Sequence, residues 1–153
     1  MSTVPQPRKI RFRQLSETEF QKKDRLDFAK ELKDARQGAD LSVRDLSDII
    51  GITSDYIYKL ERGESPIPAD ERISQLSRGI GTNEDCLFAS AGRISPEVRE
   101  VVLDMPAETG AVIRKLKPLG RVGRAYVLER MSQAIEEVFE ENRRQVRTSS
   151  LTA

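Results

Sequence analysis

The 153-residue sequence contains no histidine, one cysteine (Cys86) and few aromatic residues, 5% in all. Without histidine the commonest general base and metal ligand is missing. One thiol can neither close an internal disulfide nor hold zinc by itself. The carboxylates are scattered among lysines and arginines, and no nucleophile–base pair stands out, so neither an enzyme nor a cofactor is expected. No apolar stretch approaches the roughly 18 residues that a membrane span requires, and the first residues lack the apolar segment of a secretory signal. A cytoplasmic protein with no membrane partner is expected, its lone cysteine in a reducing compartment. Cys86 falls on the apolar side of a short helical pattern, where a thiol defaults to the core. β-branched residues form no alternating runs, so almost no strand is expected. What is abundant is charge, 33% of residues, which suits an all-α chain with much surface.

The net charge of +1 conceals an uneven distribution. Residues 1–15 hold Arg8, Lys9, Arg11 and Arg13 and no acid. Residues 16–95 hold 12 basic and 16 acidic residues, and residues 96–153 hold 10 and 9. The first stretch, with Pro5 and Pro7 and no apolar period, is expected to be a flexible basic arm. It is open to two readings, a solvated tail or a segment that tracks phosphates.

Residues 42–63 carry the strongest pattern. Val43, Leu46, Ile49 and Ile50 form one short apolar face, Gly51 breaks it, and Thr53 can cap a second helix. That second helix places Ile57 and Leu60 on one side. Ser54, Asp55, Tyr56, Tyr58, Lys59 and Arg62 lie on the other. Short polar, aromatic and basic side chains on one helical face are the types that reach base edges and phosphates from a groove. A helix-turn-helix is the natural reading. Around it, 16–37 is helical, with Ser16 and Glu19 at capping-box spacing, a stripe of Phe20, Phe28, Leu32 and Ala35, and Gly38 as terminator. The domain proper is expected to begin near Asp24. A proline-marked loop comes after Gly63. Asp70–Gly79 and the E-D-C-L-F-A-S-A segment after Asn83 supply two more short helices, making five in all.

Residues 28–92 resemble the lambda-repressor-like, Cro/XRE-type family of helix-turn-helix transcriptional regulators. The resemblance lies in Phe28, Leu32, Ala35 and Arg36, in L-S-V-R-D-L-S-D-I-I-G-I-T, in Y-I-Y-K-L-E-R-G-E, in Ile80-Gly81 and in A-S-A-G-R. It covers somewhat under half the chain. It implies a five-helix DNA-binding domain over 16–93 whose recognition helix spans 53–62. It assigns base contacts to Ser54, Asp55, Tyr58 and Lys59, and phosphate contacts to Ser42, Arg44, Thr53 and Arg62. It makes Arg36 and Glu61 a structural brace. The chain departs from the pattern at Val43, where the family often has a polar residue; valine offers at most an apolar contact. Asp55 is unusual on a face that approaches phosphates, and either accepts from cytosine or weakens binding.

Residues 94–147 are expected to form a helical C-terminal region. Ser95-Pro96-Glu97 is a helix start, with Ser95 as cap. A second helix begins at Pro106, and Lys117-Pro118-Leu119-Gly120 interrupts. A long helix then runs from about Arg121 to Gln145 with Val127, Met131, Ala134, Ile135, Val138 and Phe139 along one side. Residues 148–153 are expected to be a disordered tail. The long stripe must be buried, either on its own chain or in a dimer. The cluster Arg114, Lys115, Lys117, Arg121 and Arg124 is either a solvated face or a further phosphate contact. The expected function is a sequence-specific regulator of double-stranded DNA, a homodimeric repressor pairing through its C-terminal helices on a palindromic operator. The alternative is a protein-interaction module of antitoxin or antirepressor type, since fold does not fix function.

Overall fold

The computed structural model describes residues 17–151, with side chains described for Glu19 and for residues 21–144. The basic arm 1–15, the cap Ser16 and the side chain of Phe20 lie outside the described residues. Eight helices and no strand occur among those described. They are α1 (Glu17–Gly38), α2 (Val43–Ile50), α3 (Ser54–Glu61), α4 (Asp70–Ile80), α5 (Glu84–Ser90), α6 (Pro96–Asp104), α7 (Pro106–Leu116) and α8 (Arg121–Leu151). Contacts divide the chain into two units, the first ending at Arg99 and the second beginning at Glu100.

The first unit is built around one apolar core. Phe28 and Leu32 of α1, Leu46 of α2, Ile57 and Leu60 of α3, Ile73 and Leu76 of α4, and Leu87 and Phe88 of α5 are almost fully buried. Helix α1 packs on α3 and α5, α2 on α3 and α4, and α4 on α5. Most of these helices are too short to persist alone, so tertiary burial stabilises them. Their ends are fixed locally. Ser42, Thr53 and Asn83 cap α2, α3 and α5 by accepting from backbone amides. Gly51 ends α2 in the left-handed region (φ 69°), and its amide donates to the Ser47 carbonyl at 3.0 Å.

Gly79 is required by packing, not by backbone conformation. A Cβ there would lie 2.4 Å from Cγ2 of Ile50 and 3.3 Å from Cδ1 of Leu46. The glycine lets α4 approach α2 closely enough to bury Leu46 and Ile73. This explains a residue that is otherwise unfavourable inside a helix.

Several expectations are corrected. Cys86 is exposed; in the seven-residue α5 the adjacent Leu87 and Phe88 take the core positions, turning the preceding side chain outward. Ile49 is 56% exposed, so the apolar face of α2 is Val43 and Leu46 with Ile50 at its edge. Ser95 is buried, and its hydroxyl donates to Asp85 Oδ1 at 2.6 Å. Arg99 donates to Asp70 and to the Ile94 carbonyl. The first turn of α6 is thereby tied into the first unit, which extends past residue 93. Helix α1, by contrast, runs unbroken over Glu17–Gly38, in keeping with the helical reading of 16–37.

In the second unit no residue from 100 to 144 is buried. Helix α8 continues to Leu151, beyond Gln145, so residues 148–151 are helical where a disordered tail was expected. Nothing after Gly123 in the sequence is a glycine or proline that would stop it. No described helix is long and apolar enough to cross a membrane.

Candidate nucleic-acid interface

The α2–turn–α3 motif presents a surface whose orientation is fixed from beneath. On α3, Ile57 and Leu60 are buried and Tyr56 packs against the core. At the helix end, Arg36 of α1 meets Glu61 in a two-point ion pair. Nε donates to Oε1 at 2.6 Å and Nη2 to Oε2 at 2.9 Å, with the two side chains only 9% and 5% exposed. Arg36 Nη1 also donates to the Leu41 carbonyl at 2.6 Å. One guanidinium therefore joins α1, the α1–α2 loop and α3. Bidentate geometry satisfies both carboxylate oxygens, which a buried pair needs to offset its desolvation. The Arg36 pKa is raised above the ordinary arginine value, chiefly by the hydrogen bond to Glu61, with burial opposing and the Glu61 charge assisting.

At the other edge, Ser42 and Asp45 form a reciprocal cap. The Ser42 amide donates to Asp45 Oδ2 at 2.8 Å, and the Asp45 amide donates to Ser42 Oγ at 3.0 Å. Hydrogen bonding to Ser42, side chain first and backbone second, holds the Asp45 carboxyl below its ordinary value. Thr53 Oγ1 accepts from the Tyr56 amide at 3.3 Å. In both caps the hydroxyl oxygen accepts from the chain, and its proton can still donate outward. The turn is further braced by the Ser47 hydroxyl, which donates to the Ile52 carbonyl.

Asp55, Tyr58 and Lys59 are exposed and Ser54 is half-buried. Arg44 and Arg62 are exposed as well. Val43 is 6% exposed and belongs to the core, so it offers no surface even for an apolar contact. The cations are not equivalent. Lys59 Nζ lies 2.7 Å from Asp55 Oδ2 one turn earlier, and Arg62 Nε lies 3.0 Å from Glu64 Oε1. Arg44 makes no ion pair among the described residues. Residues 42–64 hold three basic and five acidic residues in all. With Asp45 committed to a cap and Glu61 to the core, the outward acids are Asp48, Asp55 and Glu64.

Two further supports left little sign in the sequence. Arg93 donates to the Pro68 carbonyl at 2.7 Å and to Asp70 at 3.0 Å, anchoring the loop after α3 to the start of α4. No periodicity marks an arginine acting on a loop 25 residues away. The second is the Arg62–Glu64 pair, which depends on the turn at Gly63 (φ 67°). The Lys59–Asp55 pair, by contrast, spans one turn of α3 at the i,i+4 spacing usual for helical ion pairs. No cluster of His, Cys, Asp or Glu among the described residues is arranged to hold a metal ion.

Comparison with known proteins agrees with this architecture. Residues 27–89 match the family model of a helix-turn-helix domain. Two curated relatives, each named as an uncharacterized HTH-type transcriptional regulator, come from two strains of Mycobacterium tuberculosis. Each is 24% identical over 88 residues, covering 58% of this chain and 62% of the relative. The match thus spans less than two thirds of those relatives' length. Among solved structures, the restriction-modification controller protein of Aeromonas hydrophila aligns with 25% identity and a TM-score of 0.40, over 42% of this chain and 97% of that one. Residues 27–89 thus match a helix-turn-helix domain, and the curated relatives that share this region are named as transcriptional regulators.

Proposed function

We propose that the protein is a cytoplasmic, sequence-specific regulator of double-stranded DNA that acts as a homodimeric repressor. Helix α3 enters the major groove. Ser54, Asp55, Tyr58 and Lys59 face base edges; Ser42, Arg44, Thr53 and Arg62 meet phosphates. One observation carries the reading. α3 is pinned by Ile57, Leu60 and the Arg36–Glu61 pair, while its opposite face projects polar and aromatic side chains with no partner in the core. A rigid helix with a free polar face is what groove recognition requires. The homodimer rests on α8, whose apolar side chains stay exposed in the single chain. Two copies on a palindromic operator would read half-sites about 34 Å apart, and occupancy would block polymerase.

Titration with duplex DNA at two salt concentrations tests this. Binding should weaken steeply as salt rises, through counterion release; absence of binding at low salt refutes it. Lys59→Ala should flatten the preference among sites, while Arg62→Ala should weaken all sites alike. The acid-rich motif favours a second reading, a protein-interaction module of antitoxin or antirepressor type. A chain that ignores DNA at low salt would support that reading.

A further inference from the structure

We infer that α8 pairs in parallel and in register with α8 of a second copy, along a seam of Leu128, Met131, Ile135, Val138 and Asn142. This rests on the homodimer reading above and specifies its geometry. The steps between these residues alternate between three and four, the 3.5-residue repeat of a two-stranded coiled coil. Leu128, Ile135 and Val138 are 53%, 53% and 61% exposed, Met131 is 38% exposed, and Phe139 beside the seam is 54% exposed. Broad helix–helix packing is confined to α1–α5, so no neighbour among the described residues covers this stripe. Those five apolar side chains leave on the order of 500 Å² open per chain, most of the ~800 Å² that each partner gives to a stable complex.

Asn142 selects the direction. In a parallel, in-register pair every seam residue meets its own copy. Two asparagine amides then face each other, each with a donor and an acceptor to offer. A buried asparagine at such a position sets register in parallel pairs. An antiparallel pair centred on Ile135 would set Asn142 against Leu128 and leave its amide without a partner. The acids do not oppose the parallel arrangement. In this heptad frame Glu136, Glu137 and Glu140 fall on the outer positions, and only Glu141 flanks the seam.

The test uses the full chain carrying Cys86→Ser, because the native thiol is exposed. Val138→Cys is added and the protein is oxidised with glutathione, while sedimentation reads the oligomeric state of the reduced form. A reduced dimer that converts to a disulfide-linked dimer supports the proposal, since in-register parallel pairing brings residue 138 to its own copy within disulfide reach, whereas the antiparallel pair centred on Ile135 would set it against residue 132. A reduced dimer that stays uncrosslinked overturns the parallel register and leaves the homodimer intact. A monomer overturns both.

Discussion

The two units of this chain solve the problem of burying a helix face in opposite ways. In the first unit, helices of seven to 22 residues share one core, and Leu32, Leu46, Ile57, Ile73, Leu76, Leu87 and Phe88 are completely shielded. In the second, α8 alone has 31 residues, yet nothing from 100 to 144 is buried. Helix length is therefore no guide to self-sufficiency here. Short helices suffice where several stripes converge and their ends are capped, whereas a long stripe without a neighbour needs a partner.

The largest effect that sharpens this contrast comes from the ion pairs. Glu61→Ala leaves the Arg36 guanidinium buried without its counter-charge and should cost about 3–5 kcal/mol, typical of a broken buried pair. Glu140→Ala removes an equally well-formed partner of Arg143 on α8, at 2.8 Å, but both side chains are more than half exposed. Its cost should stay below ~1 kcal/mol. Chemical denaturation of both variants checks the difference. Similar losses would mean that the first unit does not depend on the bond between α1 and α3.

Glycines offer the next contrast. Gly79→Ala should destabilise by about 1–3 kcal/mol, because the new methyl meets Ile50 inside a packed contact. Gly123→Ala in α8 meets nothing nearer than the Leu119 Cβ at 3.5 Å. It should be neutral or stabilise by up to ~1 kcal/mol through helix propensity. Opposite signs of ΔΔG in thermal or denaturant melts are expected; a tolerated Gly79→Ala would show that α4 and α2 are not closely opposed.

How much of this was legible in the sequence depended on the range of the interaction. Helix ends fixed by local chemistry, such as Thr53 ahead of α3 or Gly51 after Ile50, lay within a few residues of each other and showed in the spacing. So did the apolar periods that placed Ile57 and Leu60 inward. What escaped was decided across the fold. Ile49 shared the apolar period of Val43 and Leu46, yet the fold leaves it 56% exposed while Val43 and Leu46 enter the core. Cys86 had the hydropathy of a core residue, but two larger neighbours fill the space under α5. Arg93 and Gly79 act on segments far from them in sequence. No local pattern could show that Arg93 holds a loop or that Gly79 admits a helix. For the candidate DNA surface, the residue types were legible, whereas the pairing of Arg62 with Glu64 required the turn.

The pairing of Lys59 with Asp55 gives a smaller effect within the first unit. Asp55→Asn leaves Lys59 without its acid neighbour and removes one negative charge from the face offered to DNA. Affinity for random-sequence duplex should rise a few-fold and steepen in salt by roughly one counterion. Fluorescence anisotropy at several salt concentrations reads both quantities. Unchanged affinity for random duplex would place Asp55 away from the phosphates, against the proposed docking of α3. A fall in affinity confined to a selected site would favour Asp55 as an acceptor from cytosine.

The smallest expected effect concerns pH and is again confined to the first unit, where α2 is closed by a charged reciprocal cap while α7 has no side-chain cap at all. The Asp45 carboxyl titrates below its ordinary value in the folded state because Ser42 bonds to the ionised form. A group depressed on folding contributes stability above its unfolded pKa and loses it as pH falls through the folded one. The cap should therefore hold from neutrality down to the ordinary carboxylate range near ~4 and fail below it. Arg36 has the opposite sign. Raised on folding, it contributes fully below the ordinary arginine value and is lost only at more alkaline pH, so it adds no slope in the acid range. Comparing the native chain with Asp45→Asn isolates the cap. The native protein should melt slightly higher at neutral pH, and the gap should close as acid protonates Asp45. A gap that persists unchanged to pH ~2 would mean that the amide of asparagine fails the cap for steric reasons, and that the charge on Asp45 contributes nothing to α2.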